Sequence, residues 1–122
     1  MRFTWEAIDH VQLAAPTGEE NAARKFFTGI LGFTEVEKPP LLKAQGGVWF
    51  QTGGIQLHIG ADEEFVPSIK AHPAFQVKHL EGLKRHLDKE RVAYQEDSRL
   101  PGAKRIYVMD PFGNRMEFLE WE

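Results

Sequence analysis

The sequence of 122 residues contains no cysteine. This absence excludes disulfides, thiolate metal ligands and a cysteine nucleophile, so any chemistry must come from histidine, carboxylate or tyrosine side chains. The sequence also lacks an apolar leader at its N-terminus and any apolar run near the ~20 residues of a membrane span. We therefore expect a cytoplasmic protein that makes no contact with a membrane.

The chain also has little excess of charge of either sign. The 15 basic and 18 acidic residues leave a formal net charge of −3, and no cluster of lysine and arginine is present. Nucleic acid is therefore not an expected partner. The fractions of hydrophobic residues, 42%, and of charged residues, 27%, are typical of a globular chain. At this length we expect residues 1–122 to form a single domain.

The hydrophobic pattern of the first half predicts the order β-α-β-β-β. Alternation over residues 8–13 is typical of a strand. Thr17 followed three residues later by Glu20 resembles a capping box, which would open an amphipathic helix that ends before Gly32. Prolines at 39 and 40 should stop the next strand. The predicted elements are a strand at 8–13, a helix at 17–31 and strands at 33–38, 48–51 and 55–59.

The second half repeats this order after a polar connection at 60–71. Its predicted elements are a strand at 72–77, a helix from about 80 to 87 and strands at 92–95, 105–109 and 115–120. The last two strands are joined by a strong turn signal, Asp110-Pro111-Phe112-Gly113-Asn114. Two repeats of about sixty residues are too few for a solenoid. We predict an α+β fold of two βαβββ modules, about 5–60 and 71–122, related by pseudo-twofold symmetry and forming a half-open barrel around one cavity.

Polar residues on the alternating strands coincide when one half is laid over the other. His10 coincides with His72, and Gln56 with Glu117, on strand faces opposite the apolar residues that pack the helices. Two imidazoles and a carboxylate suit a divalent first-row metal that keeps open positions, with Gln56 as a weaker donor. A polar strand face is ordinarily just solvated, but solvation does not require the same residue types in both halves. The repetition therefore favours a metal site.

Further candidates face the predicted cavity. His58 shares a face with Gln56 and is predicted at the rim in water, with metal ligation or substrate binding as alternatives. Arg105 and Tyr107 share a strand face that suits a substrate carboxylate or phosphate, although a solvated strand explains them equally well. Trp49 precedes Phe50, so one of the two should enter the cavity and the other the core.

Four stretches of the chain together resemble the vicinal oxygen chelate superfamily, which includes glyoxalases, fosfomycin and bleomycin resistance proteins and extradiol dioxygenases. They are Ile8-Asp9-His10-Val11, the helix end Leu31-Gly32-Phe33, His72-Pro73-Ala74-Phe75 and the run from Asp110 to Glu117. The resemblance implies a divalent metal, such as zinc, nickel, manganese or iron, that acts as a Lewis acid on vicinal oxygens. It implies His10, His72 and Glu117 as ligands, Gln56 at a variable position, and a homodimer as a common state.

The resemblance also implies a function. We expect a metal-dependent enzyme that acts on a small oxygen-rich substrate, as a lyase, isomerase, transferase or dioxygenase. Glu117 and Tyr107 are the predicted catalytic residues, and His58, Arg105, Tyr107 and Trp49 are the predicted substrate contacts. Tyr107 stands where fosfomycin resistance transferases have a tyrosine near the antibiotic. Gln56 replaces the second glutamate of bacterial glyoxalase I, so that particular reaction is not expected.

The alternative function is ligand sequestration. Bleomycin-resistance-like members of the superfamily bind small molecules without a metal, and the aromatic side chains of Trp49, Phe50 and Tyr107 would suit the wall of such a pocket.

Overall fold

The computed structural model describes residues 2–122, which form two four-stranded sheets. The strands of the first half are β1 (Val11–Pro16), β2 (Thr34–Val36), β3 (Val48–Thr52) and β4 (Ile55–Asp62). Those of the second half are β5 (Ala74–Gln76), β6 (Gln95–Asp97), β7 (Ala103–Met109) and β8 (Arg115–Trp121). The helices are α1 (Glu20–Ala23), which continues as a π-helical segment (Arg24–Thr28), then α2 (Pro40–Lys43) and α3 (Leu80–Lys89).

The two sheets have the same topology. Their strand orders are β1-β4-β3-β2 and β5-β8-β7-β6, so each half places its first strand beside its last. In each half that pair is parallel and the other neighbouring strands are antiparallel. The predicted α+β fold of two repeated modules is confirmed, and the sheets do not close into a full barrel.

Several boundaries differ from the prediction. β1 begins at Val11, so His10 lies just before the strand and not inside it. β6 covers Gln95–Asp97, later than the predicted 92–95. Where only a strand end was expected, the short helix α2 begins at Pro40, with Pro39 at its N-cap position. The predicted turn after β7 is confirmed, with Gly113 at a φ of 90°.

The first helix is not capped as predicted. Glu19 occupies the N-cap position and no side chain caps the helix, so the capping box from Thr17 is wrong. The Glu20 carboxylate instead accepts a hydrogen bond from the Gly47 amide at 2.7 Å, and this bond lowers the pKa of Glu20. Gly47 has a φ of 85°, and a Cβ there would lie 2.3 Å from the carbonyl oxygen of Ile59. Only glycine allows this approach.

Aromatic side chains join the helices to the sheets. The Phe27 ring lies against Phe50 of β3, with centroids 5.4 Å apart, and both side chains are fully buried. In the second half, Phe75 and Phe118 pair across β5 and β8 at 5.6 Å. Phe33 contacts Phe75 edge to face at 6.3 Å, so the cores of the two halves meet.

The turn between β7 and β8 also connects the two halves. The Asp110 carboxylate accepts hydrogen bonds from the backbone amides of Phe112 and Asn114. The buried Asn114 side chain donates to the Ala14 carbonyl in β1 and to Asp110, both at 2.8 Å, and accepts from the Ser68 amide at 2.9 Å. We call this arrangement the Asn114 clasp. It ties β1, the connection at 60–71 and the β7–β8 turn together.

Two further contacts position α3. The Glu120 carboxylate accepts hydrogen bonds from the His79 and Leu80 amides, which caps the helix and lowers the pKa of Glu120. Nε2 of His86 lies 2.7 Å from the Ile30 carbonyl oxygen in the first half. None of the helices within residues 2–122 has the length and apolar character of a transmembrane span.

We predict that Asn114→Ala strongly destabilises the fold. The substitution removes the hydrogen bonds to Ala14, Asp110 and Ser68 and leaves buried polar groups unpaired, at a cost on the order of 3 kcal/mol. Urea unfolding measures the free energy of unfolding. The control is Asn21→Ala, which removes one exposed bond to Arg24 and should change stability by less than about 0.5 kcal/mol. Equal effects of the two variants would contradict a clasp at Asn114.

Candidate metal and substrate site

A cavity of about 590 Å³ lies between the two halves, where residues around β1 face residues around β5. Of the four predicted metal-binding residues, His10, Gln56 and His72 line it, whereas Glu117 does not. The cavity forms here because β1 and β5 are edge strands of separate sheets, and neither pairs with the other. The predicted cavity between the halves is therefore present.

Glu117 and His72 are brought together. Alternation along β8 directs Met116 and Phe118 into the core and Glu117 to the opposite face, where its side chain is only 7% exposed. Oε1 of Glu117 lies 3.0 Å from Nε2 of His72. Ala74 of β5 lies opposite Glu117 in β8. His72 precedes Ala74 by two residues, and its side chain reaches the Glu117 carboxylate.

The surroundings of His72 determine its hydrogen-bonding state. Its Nδ1 lies 2.9 Å from the Lys70 carbonyl oxygen, which can only accept, so Nδ1 carries a proton. In a neutral ring, Nε2 then presents a lone pair to the Glu117 carboxylate. Two acceptors at this distance need a proton or a cation between them. A histidine whose second nitrogen donates to a backbone carbonyl is a usual arrangement of a metal ligand.

His10 shows a related arrangement in the first half. Its Nδ1 lies 2.8 Å from the Asp9 carboxylate, which leaves Nε2 for another partner. Within residues 2–122, no group of three or more His, Asp or Glu residues is placed to hold a metal ion. Two of the predicted ligands, His72 and Glu117, are therefore in direct contact. His10 and Gln56 line another part of the cavity wall.

His58 is not at a solvated rim, so this prediction is wrong. Its side chain is buried between two rings: Trp49, parallel at 3.8 Å, and His10, stacked at 4.2 Å. Burial lowers the pKa of His58, and the nearby His10 lowers it further. Trp49 and His58 are opposite each other in β3 and β4, which explains the stack. Phe50 enters the core as one alternative required, but Trp49 does not line the cavity between the halves and instead lines a neighbouring pocket with His10 and His58.

Arg105 is engaged with the protein's own carboxylates. Its Nη2 lies 3.4 Å from Asp97 and its Nη1 lies 3.4 Å from Glu117. Hydrogen bonds from Arg99 and the charge of Arg105 hold the pKa of Asp97 well below its usual range. Because both terminal nitrogens are paired, the geometry argues against the predicted substrate contact and favours a role in orienting Glu117.

Tyr107 lies at the centre of the second sheet's polar face. Its ring contacts His72 edge to face at 5.6 Å, and the guanidinium carbons of Arg105 and Arg115 lie 5.4 and 4.9 Å from its centroid. Arg115 was not among the sequence-predicted residues. Its position two residues before Glu117 on β8 was the available signal, since alternation puts both on one face.

The comparisons with known proteins agree with this architecture. Residues 7–118 match the family described as Glyoxalase/Bleomycin resistance protein/Dioxygenase superfamily. A crystal structure assigned to the glyoxalase family from Bacillus anthracis is 44% identical, with a TM-score of 0.97 over 100% of both chains. The chain therefore belongs to the glyoxalase, bleomycin resistance and dioxygenase superfamily. The predicted resemblance is confirmed.

More distant relatives share the fold. Lactoylglutathione lyase from Agrobacterium tumefaciens is 23% identical, with a TM-score of 0.76 over 93% of this chain and 92% of that chain. The fosfomycin resistance protein FosX from Listeria monocytogenes is 17% identical, with a TM-score of 0.77 over 98% of this chain and 96% of that chain. A search of the curated proteins finds no match.

We predict that Arg105→Met destabilises the protein in the absence of any ligand. Asp97 keeps its hydrogen bonds from Arg99, but the nearly buried Glu117 carboxylate loses its arginine partner, at a cost of about 3 kcal/mol. Urea unfolding at neutral pH measures this loss. Arg99→Met is the matched control, because Arg99 also pairs with Asp97 but is 81% exposed, so its loss should destabilise the protein far less. A stability of Arg105→Met equal to that of the control would show that Arg105 is not structural.

Proposed function

We propose that the protein is a metal-dependent enzyme that acts on a small oxygen-rich molecule by chelating vicinal oxygens. The observation that carries the proposal is the His72–Glu117 pair. An imidazole nitrogen and a carboxylate oxygen face each other at 3.0 Å, and the other ring nitrogen is held by a backbone carbonyl. This donor set suits a divalent first-row metal such as zinc, nickel, manganese or iron.

In this proposal each candidate residue has a distinct role. His72 and Glu117 would hold the metal, His10 would supply a third strong donor, and Gln56 would be a neutral group at the fourth position. The metal supplies Lewis-acid polarisation of the substrate oxygens. Arg105 keeps the Glu117 carboxylate oriented, and Tyr107, whose ring packs on His72, would contact the substrate. Trp49 and His58 line an adjoining pocket beside His10, where Trp49 would contact an apolar part of the substrate.

A relative supports the choice of metal. The E126Q mutant of FosX from Listeria monocytogenes was solved in complex with Mn(II) and 1S,2S-dihydroxypropylphosphonic acid. That protein thus combines the fold with a divalent metal and a ligand that carries vicinal oxygens. Manganese is accordingly the first metal to test here.

We predict stoichiometric binding of one divalent metal ion per chain. Apo protein is titrated with manganese, zinc, nickel and iron(II) by calorimetry. At free metal about a hundredfold above Kd, linkage adds about 2.7 kcal/mol to the stability, which raises Tm by several degrees. Glu117→Gln keeps the side-chain shape, removes the anionic donor and should abolish most of this rise.

The matched control is Glu63→Gln, an exposed carboxylate in the connection between the halves. Its metal-induced rise in Tm should equal that of the wild type. If none of the four metals binds, the enzymatic proposal fails and the sequestering alternative replaces it. Trp49 favours that alternative, since its ring lines a pocket beside His10 and could contact a ligand without any metal.

We also propose that a homodimer completes the site, with His10 donated to the His72–Glu117 pair of a second copy. The supporting observation is the segment that leads to His10. Phe3, Trp5 and Ile8 are all exposed, Trp5 by 85% and Ile8 by 83%, and the Phe3 and Trp5 rings pack edge to face at 5.7 Å. Large apolar side chains exposed together usually mark a protein interface. A second copy that covered these side chains would also place His10 of the first copy near the His72–Glu117 pair of the second.

A mixing experiment separates a shared site from one within a single chain. His10→Gln and Glu117→Gln should each bind metal weakly as pure homodimers. When the two are unfolded and refolded together, half of the chains form mixed dimers, and each mixed dimer has one site with both residues intact. We expect tight binding to reappear at about one site per mixed dimer, by calorimetry. A mixture that binds no better than its components would contradict a shared site.

A further inference from the structure

Arg115 lies on the same face of the second sheet as Glu117 and Tyr107, and no protein carboxylate within the described residues neutralises its charge. Arg24, Arg99 and Arg105 each form ion pairs with carboxylates. Within residues 2–122, the Arg115 side chain makes neither an ion pair nor a hydrogen bond, although it is half-buried. Its guanidinium lies 4.9 Å from the Tyr107 ring centroid, and this cation–π contact holds it in place while its N–H groups stay free.

The surroundings of Arg115 form a small cavity. Its volume is about 330 Å³, and Tyr94, Gln95, Tyr107, Met109 and Arg115 are among the residues that line it. The Tyr107 hydroxyl makes no hydrogen bond within the described chain, so the cavity offers a guanidinium and a phenol without protein partners. The nearest carboxylate on the same strand face, Glu117, is already shared between His72 and Arg105.

We propose that Arg115 and the Tyr107 hydroxyl bind an oxyanion of the substrate, a carboxylate or a phosphate. The guanidinium fork matches two oxygens of such a group, and the hydroxyl adds a third donor. The Tyr107 ring also contacts His72 at 5.6 Å, so an anion at Arg115 lies beside the proposed metal ligands. As a substrate subsite the assignment rests on the proposed function, and it narrows the substrate to small anions with neighbouring oxygens. The anion binding itself needs no metal.

Inorganic phosphate is the first probe, because it is an oxyanion that tests Arg115 in the full-length protein without metal. The chain is stripped with a chelator, which is then removed, and phosphate is titrated while NMR follows the arginine side-chain N–H and tyrosine signals. We expect saturable shifts at Arg115 and Tyr107. Arg115→Gln should weaken phosphate binding at least tenfold, and Arg115→Lys should weaken it less because the charge remains.

Arg85→Gln is the control, since Arg85 lies exposed on α3 and its loss should leave phosphate binding unchanged. Melting curves of all variants verify that they fold. Phosphate binding to Arg115→Gln equal to wild type would overturn the assignment, as would shifts confined to Arg99 or Arg105. If phosphate binds at Arg115 but no metal binds anywhere, the anion subsite stands and the enzymatic proposal fails.

A second arm uses carboxylates. Glycerate and glycerol carry neighbouring hydroxyls, but only glycerate is an anion. On manganese-loaded protein we expect glycerate to bind at least tenfold more tightly than glycerol in the wild type, and the ratio to fall severalfold in Arg115→Gln. An unchanged ratio in that variant would show that the metal alone selects the anion and would overturn the role of Arg115.

Discussion

One buried side-chain amide, that of Asn114, holds together three parts of the chain that are far apart in sequence. It bonds to Ala14 in the first sheet, to Ser68 in the connection and to Asp110 in its own turn. β1 starts directly after His10, and β8 starts directly after Asn114. The clasp therefore fixes the strand that leads from His10 relative to the strand that carries Glu117. The shape of the cavity between the halves depends on this constraint.

The fold was largely predictable because strand alternation and helix periodicity are local. The order of elements, the repeat and the Asp110–Asn114 turn all followed from nearby residues. β6 was misplaced because its pairing is decided elsewhere: Asp97 lies opposite Arg105 of β7, and the ion pair between them needs that register. The capping box failed for a similar reason. Glu20 is occupied by the Gly47 amide, 27 residues away in sequence.

The candidate site was predictable in its residue types more than in its contacts. Alternation alone places Glu117 on the polar face, and this position is observed. His58 could not be predicted as buried, because its burial depends on the Trp49 ring in the neighbouring strand. Arg105 and Arg115 lie on the same face beside the same tyrosine. Only the positions of Asp97 and Glu117 in three dimensions distinguish the neutralised arginine from the free one.

The π-helical segment Arg24–Thr28 bears on how related chains differ in length. Its wider turn, with Gly29 bonded back to Arg24 and Leu31 bonded back to Phe26, accommodates one residue more than a regular α-helix over the same rise. Loss of one residue here would give an ordinary helix and leave the strands on either side in register. Single-residue insertions and deletions among homologues should therefore accumulate in this segment. An alignment that placed such a gap in β1 would match His10 and its neighbours with the wrong residues of the homologue.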